Sequence, residues 1–234
     1  MIKIAHGGAS CTINPDGAWV EELRVGERPI LFPKTELVSD SGETKARGGM
    51  HVCLPNFGPG GDSGLAQHGF GRTMRWGVTR QTPHSVSLQL RGPSPYYAGL
   101  EATLDYALEA SSLQAALTLH NASHIPLRAA PGFHPYFHLN DADTAVSVNG
   151  SVYELLSLGE AVFIHTDRVK LDTTEHTIQV SQQGLSTWAI WTDSLSNYVC
   201  VEPTYAGFRF LGPPTPDDGL EPDEQRSFRC TISW

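Results

Sequence analysis

An all-β fold, a sandwich of large antiparallel sheets, is what the sequence predicts, and three observations predict it. Apolar and polar residues alternate with period two from end to end, which puts apolar groups on one face of a sheet. Turn signals separate these runs. The chain also holds 23 Gly and 16 Pro, which leaves few uninterrupted windows long enough for a helix.

The elements follow in order. Asn14-Pro15-Asp16-Gly17 reads as a tight turn between Cys11-Thr12-Ile13 and Trp19-Val20. Val86, Leu88 and Leu90 alternate with Ser85, Ser87 and Gln89. Leu113, Ala115, Leu117 and Leu119 form one face of the next run, Ile178 and Val180 repeat the pattern, and Phe228, Cys230, Ile232 and Trp234 carry it to the end. Residues 153–158 look weakly helical but are too few to stand alone. Two segments break the strand pattern. Residues 48–71 carry eight glycines and two prolines, a long loop of the kind that usually serves a function. Residues 213–223 are proline-rich, with four carboxylates and no basic side chain, and read as a solvated surface loop.

Residues 1–234 are expected to form a single domain. An apolar fraction of 40% is enough for a sizeable core. A formal net charge of −9 argues against nucleic acid as a partner, because phosphate backbones reward excess Lys and Arg. A small anion stays open, since two local arginines outweigh a distant, screened field. No stretch reaches the roughly 18 apolar residues of a membrane span, and Met1-Ile2-Lys3-Ile4-Ala5-His6 lacks the apolar region of a secretory signal. Cys11, Cys53, Cys200 and Cys230 are widely spaced and read as reduced, packed thiols of a cytoplasmic protein.

Four polar clusters carry the chemistry. Glu202 lies in Tyr198-Val199-Cys200-Val201-Glu202-Pro203 on the same face as Tyr198 and Cys200, where the proline ends or edges the strand. Partial desolvation there raises a carboxyl pKa and suits proton abstraction near neutral pH; a salt-bridged strand-end glutamate is the alternative. His134 sits among Phe133, Pro135, Tyr136 and Phe137, with a backbone fixed by prolines and Gly132. It offers proton exchange near neutral pH or, alternatively, a satisfied core histidine. His68 and Arg72 occur in Gln67-His68-Gly69-Phe70-Gly71-Arg72, whose glycines let backbone approach a ligand. Arg47 precedes Gly48-Gly49. A guanidinium fits a phosphate or a pair of sugar hydroxyls, although surface arginines are commonly solvated or paired. His134 and His138 would be about 13 Å apart in an extended chain, as would His120 and His124, so no His-pair metal site is expected.

As a set these residues resemble the galactose-mutarotase-like sugar epimerases. The similarity runs through Arg47-Gly48-Gly49-Met50-His51-Val52-Cys53-Leu54-Pro55-Asn56-Phe57-Gly58, the segment 67–72, Pro131-Gly132-Phe133-His134-Pro135-Tyr136-Phe137, Thr166-Asp167-Arg168-Val169 and Val199-Cys200-Val201-Glu202-Pro203. The first two and the last are most similar to the hexose-6-phosphate 1-epimerase branch; His134-Pro135-Tyr136-Phe137 resembles the unphosphorylated branch more. The resemblance implies a β-supersandwich with a sugar cleft on a concave sheet, and interconversion of α and β anomers of an aldose. It implies Glu202 as general base, His134 as general acid, His68 as a second cleft histidine, Arg47 and Arg72 as phosphate ligands, and Asp167 as a cleft aspartate. Ring opening would start with Glu202 ionised and His134 protonated. No metal or redox cofactor is implied. Met50 and His51 stand where the family more often has Ile and Pro, Gly71 replaces a more common Ala, and the chain looks shorter than most of the family. The partner expected is a small sugar or sugar phosphate, bound by a monomer or weak dimer. The competing readings are a carbohydrate-binding or sensing module without turnover, which needs no acid–base pair, and a relative of polysaccharide lyases, for which the chain is short.

Overall fold

Two nine-stranded antiparallel sheets dominate the computed structural model, which describes residues 1–93 and 95–234. One sheet runs, in spatial order, Ile2–His6, Ala9–Asn14, Trp19–Val25, Met50–Cys53, Gly132–His138, Tyr198–Thr204, Thr187–Trp191 and Val162–Ile164, with Arg28–Pro29 paired to Trp19–Val25. The other runs Ser151–Glu154, Ala145–Val148, Arg168–Asp172, Thr177–Gln183, Gln225–Ser233, Ser112–Asn121, Leu100–Leu108, Ser85–Arg91 and Gly77–Gln81. This is the all-β sandwich that alternation predicts.

The two sheets differ in how they meet water. In Leu100–Leu108 and Ser112–Asn121 every second residue is buried, so one face packs inward and the other is partly solvated. Met50–Cys53 and Tyr198–Thr204 are buried at every position. Their inward side chains, including Val52, Val199 and Val201, join Phe133, Phe137 and Trp188 against Leu104, Leu117, Val180 and Phe228 of the other sheet. Their outward side chains form two separate clusters, Cys53 with Phe57 and Ala189, and Tyr136 with Tyr198 and Cys200. That outward face is covered by loops and contains a cleft.

Several local expectations are corrected. The long loop 48–71 contains the Met50–Cys53 strand near the middle of a sheet. Gly49 makes this packing feasible: its φ is +66°, and a Cβ there would lie 1.9 Å from the Val20 carbonyl oxygen. Residues 153–158 divide into the end of the Ser151–Glu154 strand and a single 3-10 turn, Leu155–Ser157. The acidic segment 213–223 is not wholly solvated. Asp218 is buried and accepts hydrogen bonds from Arg209 Nε at 2.7 Å and Arg128 Nη2 at 3.2 Å. Pro203 stands one residue from the end of its strand, which lies inside the sheet rather than at its edge. All four cysteines are free and buried. Among the described residues, no helix is long and apolar enough to cross a membrane.

Candidate active site

Register alone brings the key side chains into a row across the cleft face. His51 pairs with His134 across Met50–Cys53 and Gly132–His138. The register Gly132↔Thr204 and Tyr136↔Cys200 puts His134 opposite Glu202, and Glu202 pairs with Ala189 on the far side. Period two then adds Tyr136 and Cys200 to the same face. His134 Nε2 lies 3.2 Å from Glu202 Oε2. The imidazole stacks on the Tyr136 ring at 4.6 Å and 14°, which fixes its plane.

Both groups are almost wholly buried, with exposures of 4% for His134 and 2% for Glu202. They line a cavity of about 620 Å³ together with His68, Arg47, Arg72 and Trp191, a size suited to a small ligand. Burial pushes the Glu202 carboxyl well above the usual carboxylate range. Burial first, then His68, Arg72 and Arg47, hold the His134 imidazole well below its ordinary value. Both shifts favour the neutral forms, carboxylic acid and imidazole, in contrast to the expected ionised Glu202 facing a protonated His134. The two forms carry the same net charge and differ only in whether one proton sits on Oε2 or on Nε2.

His68 meets the pair from the loop 48–71, its ring 4.9 Å from that of His134. Its Nδ1 accepts a hydrogen bond from the Gly58 backbone N–H at 3.1 Å. A backbone N–H only donates, so the ring proton of neutral His68 resides on Nε2. Burial, reinforced by Arg72 and Arg47, lowers its pKa to about 3. His68 is thus a fixed neutral donor.

The arginines play unequal parts. Arg47 Nε donates to Asp193 Oδ2 at 2.8 Å and Nη1 to the Ala46 carbonyl at 3.0 Å, with the guanidinium 5.6 Å from the Trp191 ring centre. Tyr198 Oη also donates to Asp193. Arg72 lies 5.3 Å from the Trp19 ring centre, and no carboxylate among the described residues pairs with it. Its charge remains available to a ligand. Asp167 is exposed, in the bend before Arg168–Asp172, and does not line the cavity. The structure brings together Glu202, His134, His68, Arg47 and Arg72 and leaves Asp167 out.

Sequence reasoning missed the cleft's aromatic walls. Phe208 stacks on Phe57 at 5.9 Å and 19°, while Trp191 stands edge-on to His134 at 6.1 Å. Phe208 and Trp191 sit in stretches with no local motif, and only the fold carries them to the cleft. Tyr136 was accessible in principle, two residues from His134 on the same face. His51 is fully buried, its ring 4.8 Å from His134.

The family model described as aldose 1-epimerase matches residues 1–195. A Salmonella typhimurium protein, whose designation as a glucose-6-phosphate 1-epimerase is itself provisional, is 28% identical over 250 aligned residues, 88% of this chain and 83% of the relative. A galactose mutarotase-like protein from Lactobacillus casei superposes with a TM-score of 0.81 at 16% identity, covering 100% of this chain and 99% of the other. A galactose mutarotase related enzyme from Lactobacillus acidophilus gives 0.77 at 17% identity, with 99% and 96% covered. These two likenesses establish the galactose mutarotase-like fold.

Proposed function

This chain belongs to the aldose 1-epimerase family, and from that premise we propose that it interconverts the α and β anomers of a hexose by acid–base ring opening at Glu202 and His134. The observation that carries the reading is the 3.2 Å approach of His134 Nε2 to Glu202 Oε2 on the floor of a cavity large enough for a sugar. Two proton-exchanging groups that face one ligand are what anomer exchange requires.

The reaction follows from that geometry. The reactive form has His134 protonated and Glu202 ionised. Glu202 takes the proton of the C1 hydroxyl as His134 gives one to the ring oxygen, and the C1–O5 bond breaks. The open aldehyde then faces a protonated Glu202 and a neutral imidazole, the pair's preferred state in this buried site. Rotation about C1–C2 presents the other carbonyl face. Closure returns the Glu202 proton to the oxygen on C1, while His134 takes up the proton of the attacking hydroxyl. His68 donates from Nε2 to a sugar oxygen and fixes the ring's position.

The substrate's phosphate rests on Arg72. An unpaired guanidinium in the cavity suits a 6-phosphate, and the Salmonella relative's designation points the same way. Arg47, already held by Asp193, offers a more limited contact. We take residues 1–234 as one domain, cytoplasmic, and a monomer or weak dimer.

The test is exchange NMR of glucose and glucose 6-phosphate anomers with wild-type protein and Glu202→Gln. The expected result is acceleration by the wild type and a loss of about 10²-fold or more in the variant, with sugar binding retained. Near-wild-type exchange in the variant overturns the role of Glu202. Sugar binding without any exchange in the wild type points instead to a carbohydrate-binding module.

A further inference from the structure

Cys200 is a buried thiol that the proposed reaction does not use, yet it stands beside both reacting groups. Strand geometry explains why. Residues 200 and 202 project from the same face of one strand, and His134 faces Glu202 from the next. The Cys200 sulfur, a His134 nitrogen and a Glu202 oxygen all lie within 4.8 Å of one another. All three residues are buried. Glu202 Oε2, though 3.2 Å from His134 Nε2, has no hydrogen-bond partner. An unsatisfied carboxyl oxygen, an imidazole and a thiol thus converge at one point.

We infer that His134, Cys200 and Glu202 form an inhibitory site for a zinc-like divalent ion. The donor set is one nitrogen, one sulfur and one oxygen, the mixture that zinc and cobalt accept, whereas calcium and magnesium select oxygen alone. Zinc bonds of about 2.0 Å to nitrogen and oxygen and 2.3 Å to sulfur require the three donors to draw inward, a movement open to Glu202 through its side-chain torsions. As the ion binds, two protons pass to solvent, one from the Cys200 thiol and one from the Glu202 carboxyl. Glu202 binds as carboxylate and His134 as neutral imidazole. A fourth coordination position opens into the cavity that His134 and Glu202 line. The ion ties up both proton-transferring groups, so metal and sugar exclude one another.

This ion is distinct from a structural or resident metal. The proposed reaction uses His134 and Glu202 as proton carriers, so an ion held by both blocks that reaction rather than serving it. It is also distinct from a His134–His138 pair. His138 belongs to another neighbourhood, its ring edge-on to Phe32 at 6.4 Å.

The experiment is titration of the apo protein with Co²⁺ and competition by Zn²⁺, read by absorbance. Wild type should show a thiolate-to-cobalt charge-transfer band, bleached by stoichiometric Zn²⁺. Cys200→Ala should lose that band and weaken zinc binding more than about tenfold, with anomer exchange in metal-free buffer retained. Cys53→Ala removes the other cleft-face thiol, which lies 3.2 Å from His68 Nδ1, and should keep the band. Absence of a band in wild type, its survival in Cys200→Ala, or its loss in Cys53→Ala overturns the proposal. Should Cys200→Ala fail to fold, Cys200→Ser carries the same test. Because the band is independent of turnover, it separates this inference from the sugar reading. A band that persists at saturating glucose and glucose 6-phosphate, in a protein that exchanges neither sugar, counts against the sugar reading alone.

Discussion

Glu202 is held where its charged form is disfavoured, and stability should record that. Its folded pKa lies above the unfolded value, so the stabilisation is fully present below about pH 4.5 and is lost as pH rises through the folded pKa. Glutamine does not ionise and escapes this loss. Glu202→Gln is expected to melt at a higher temperature than wild type at pH 8, with the gap closing toward pH 4, as read by calorimetry across that range. His68 behaves oppositely. Its folded pKa of about 3 lies below the ordinary 6.5, so wild-type stability falls as pH drops from 6.5 toward 3, by up to about 1.4 kcal/mol per pH unit. His68→Gln should shrink the melting-temperature drop between pH 7.5 and 5. At this scale the sequence was informative about identity and less so about circumstance. Glu202, His134, His68, Arg47 and Arg72 were legible from short motifs. Asp193, which ties down Arg47, lies 146 residues from it, and no local pattern announces such a pair. Asp167 was drawn in by a string that resembles a motif, and the fold leaves it in solvent.

The strands of the second sheet were readable because one face is wetted, so burial alternates with sequence. At the middle of the first sheet, where strands are covered on both sides, Tyr198–Thr204 was still readable because its two faces differ in chemistry, whereas Met50–Cys53 was not. Met50–Cys53 shows the difficulty most clearly: four buried residues between glycines look like part of a loop until the neighbouring strands are in place. Its packing depends on Gly49. Gly49→Ala is expected to destabilise the protein by about 1–3 kcal/mol, toward the upper end because the added carbon meets the Val20 carbonyl at 1.9 Å. Urea denaturation measures this directly. Pro203 does stand near its strand's end, but in an interior strand. Proline usually marks a strand's edge, but here the ladder between Gly132–His138 and Tyr198–Thr204 simply skips a stretch.

For the molecule as a whole, a net charge of −9 encloses a cleft whose unpaired guanidinium is positive. A phosphorylated sugar would thus bind by a local attraction against a general repulsion. Both are screened by salt, but the contact with Arg72 is the stronger. The apparent KM for glucose 6-phosphate should rise between 50 and 500 mM NaCl (about 14 to 4 Å screening), while that for glucose stays within about twofold. Arg72→Ala should abolish most of this contrast, weakening the phosphorylated sugar by about tenfold or more and the free sugar little. Steady-state exchange kinetics at the two salt concentrations check both statements, and equal losses point to an unphosphorylated substrate. The two-sheet architecture was the most legible property, since it rests on a pattern repeated along the chain. The cleft was the least, because its walls come from Phe57, Trp191 and Phe208, brought together only when the sheet closes over them.

Pro135 and Pro203 have no amide hydrogen to contribute, and between Gly132↔Thr204 and Tyr136↔Cys200 no rung joins the two strands. The seam is stitched at each end and unlaced in the middle, beside His134 and Glu202. At this point the two strands are kept in place by their outer neighbours, Met50–Cys53 and Thr187–Trp191, and by the close approach of the His134 and Glu202 side chains themselves.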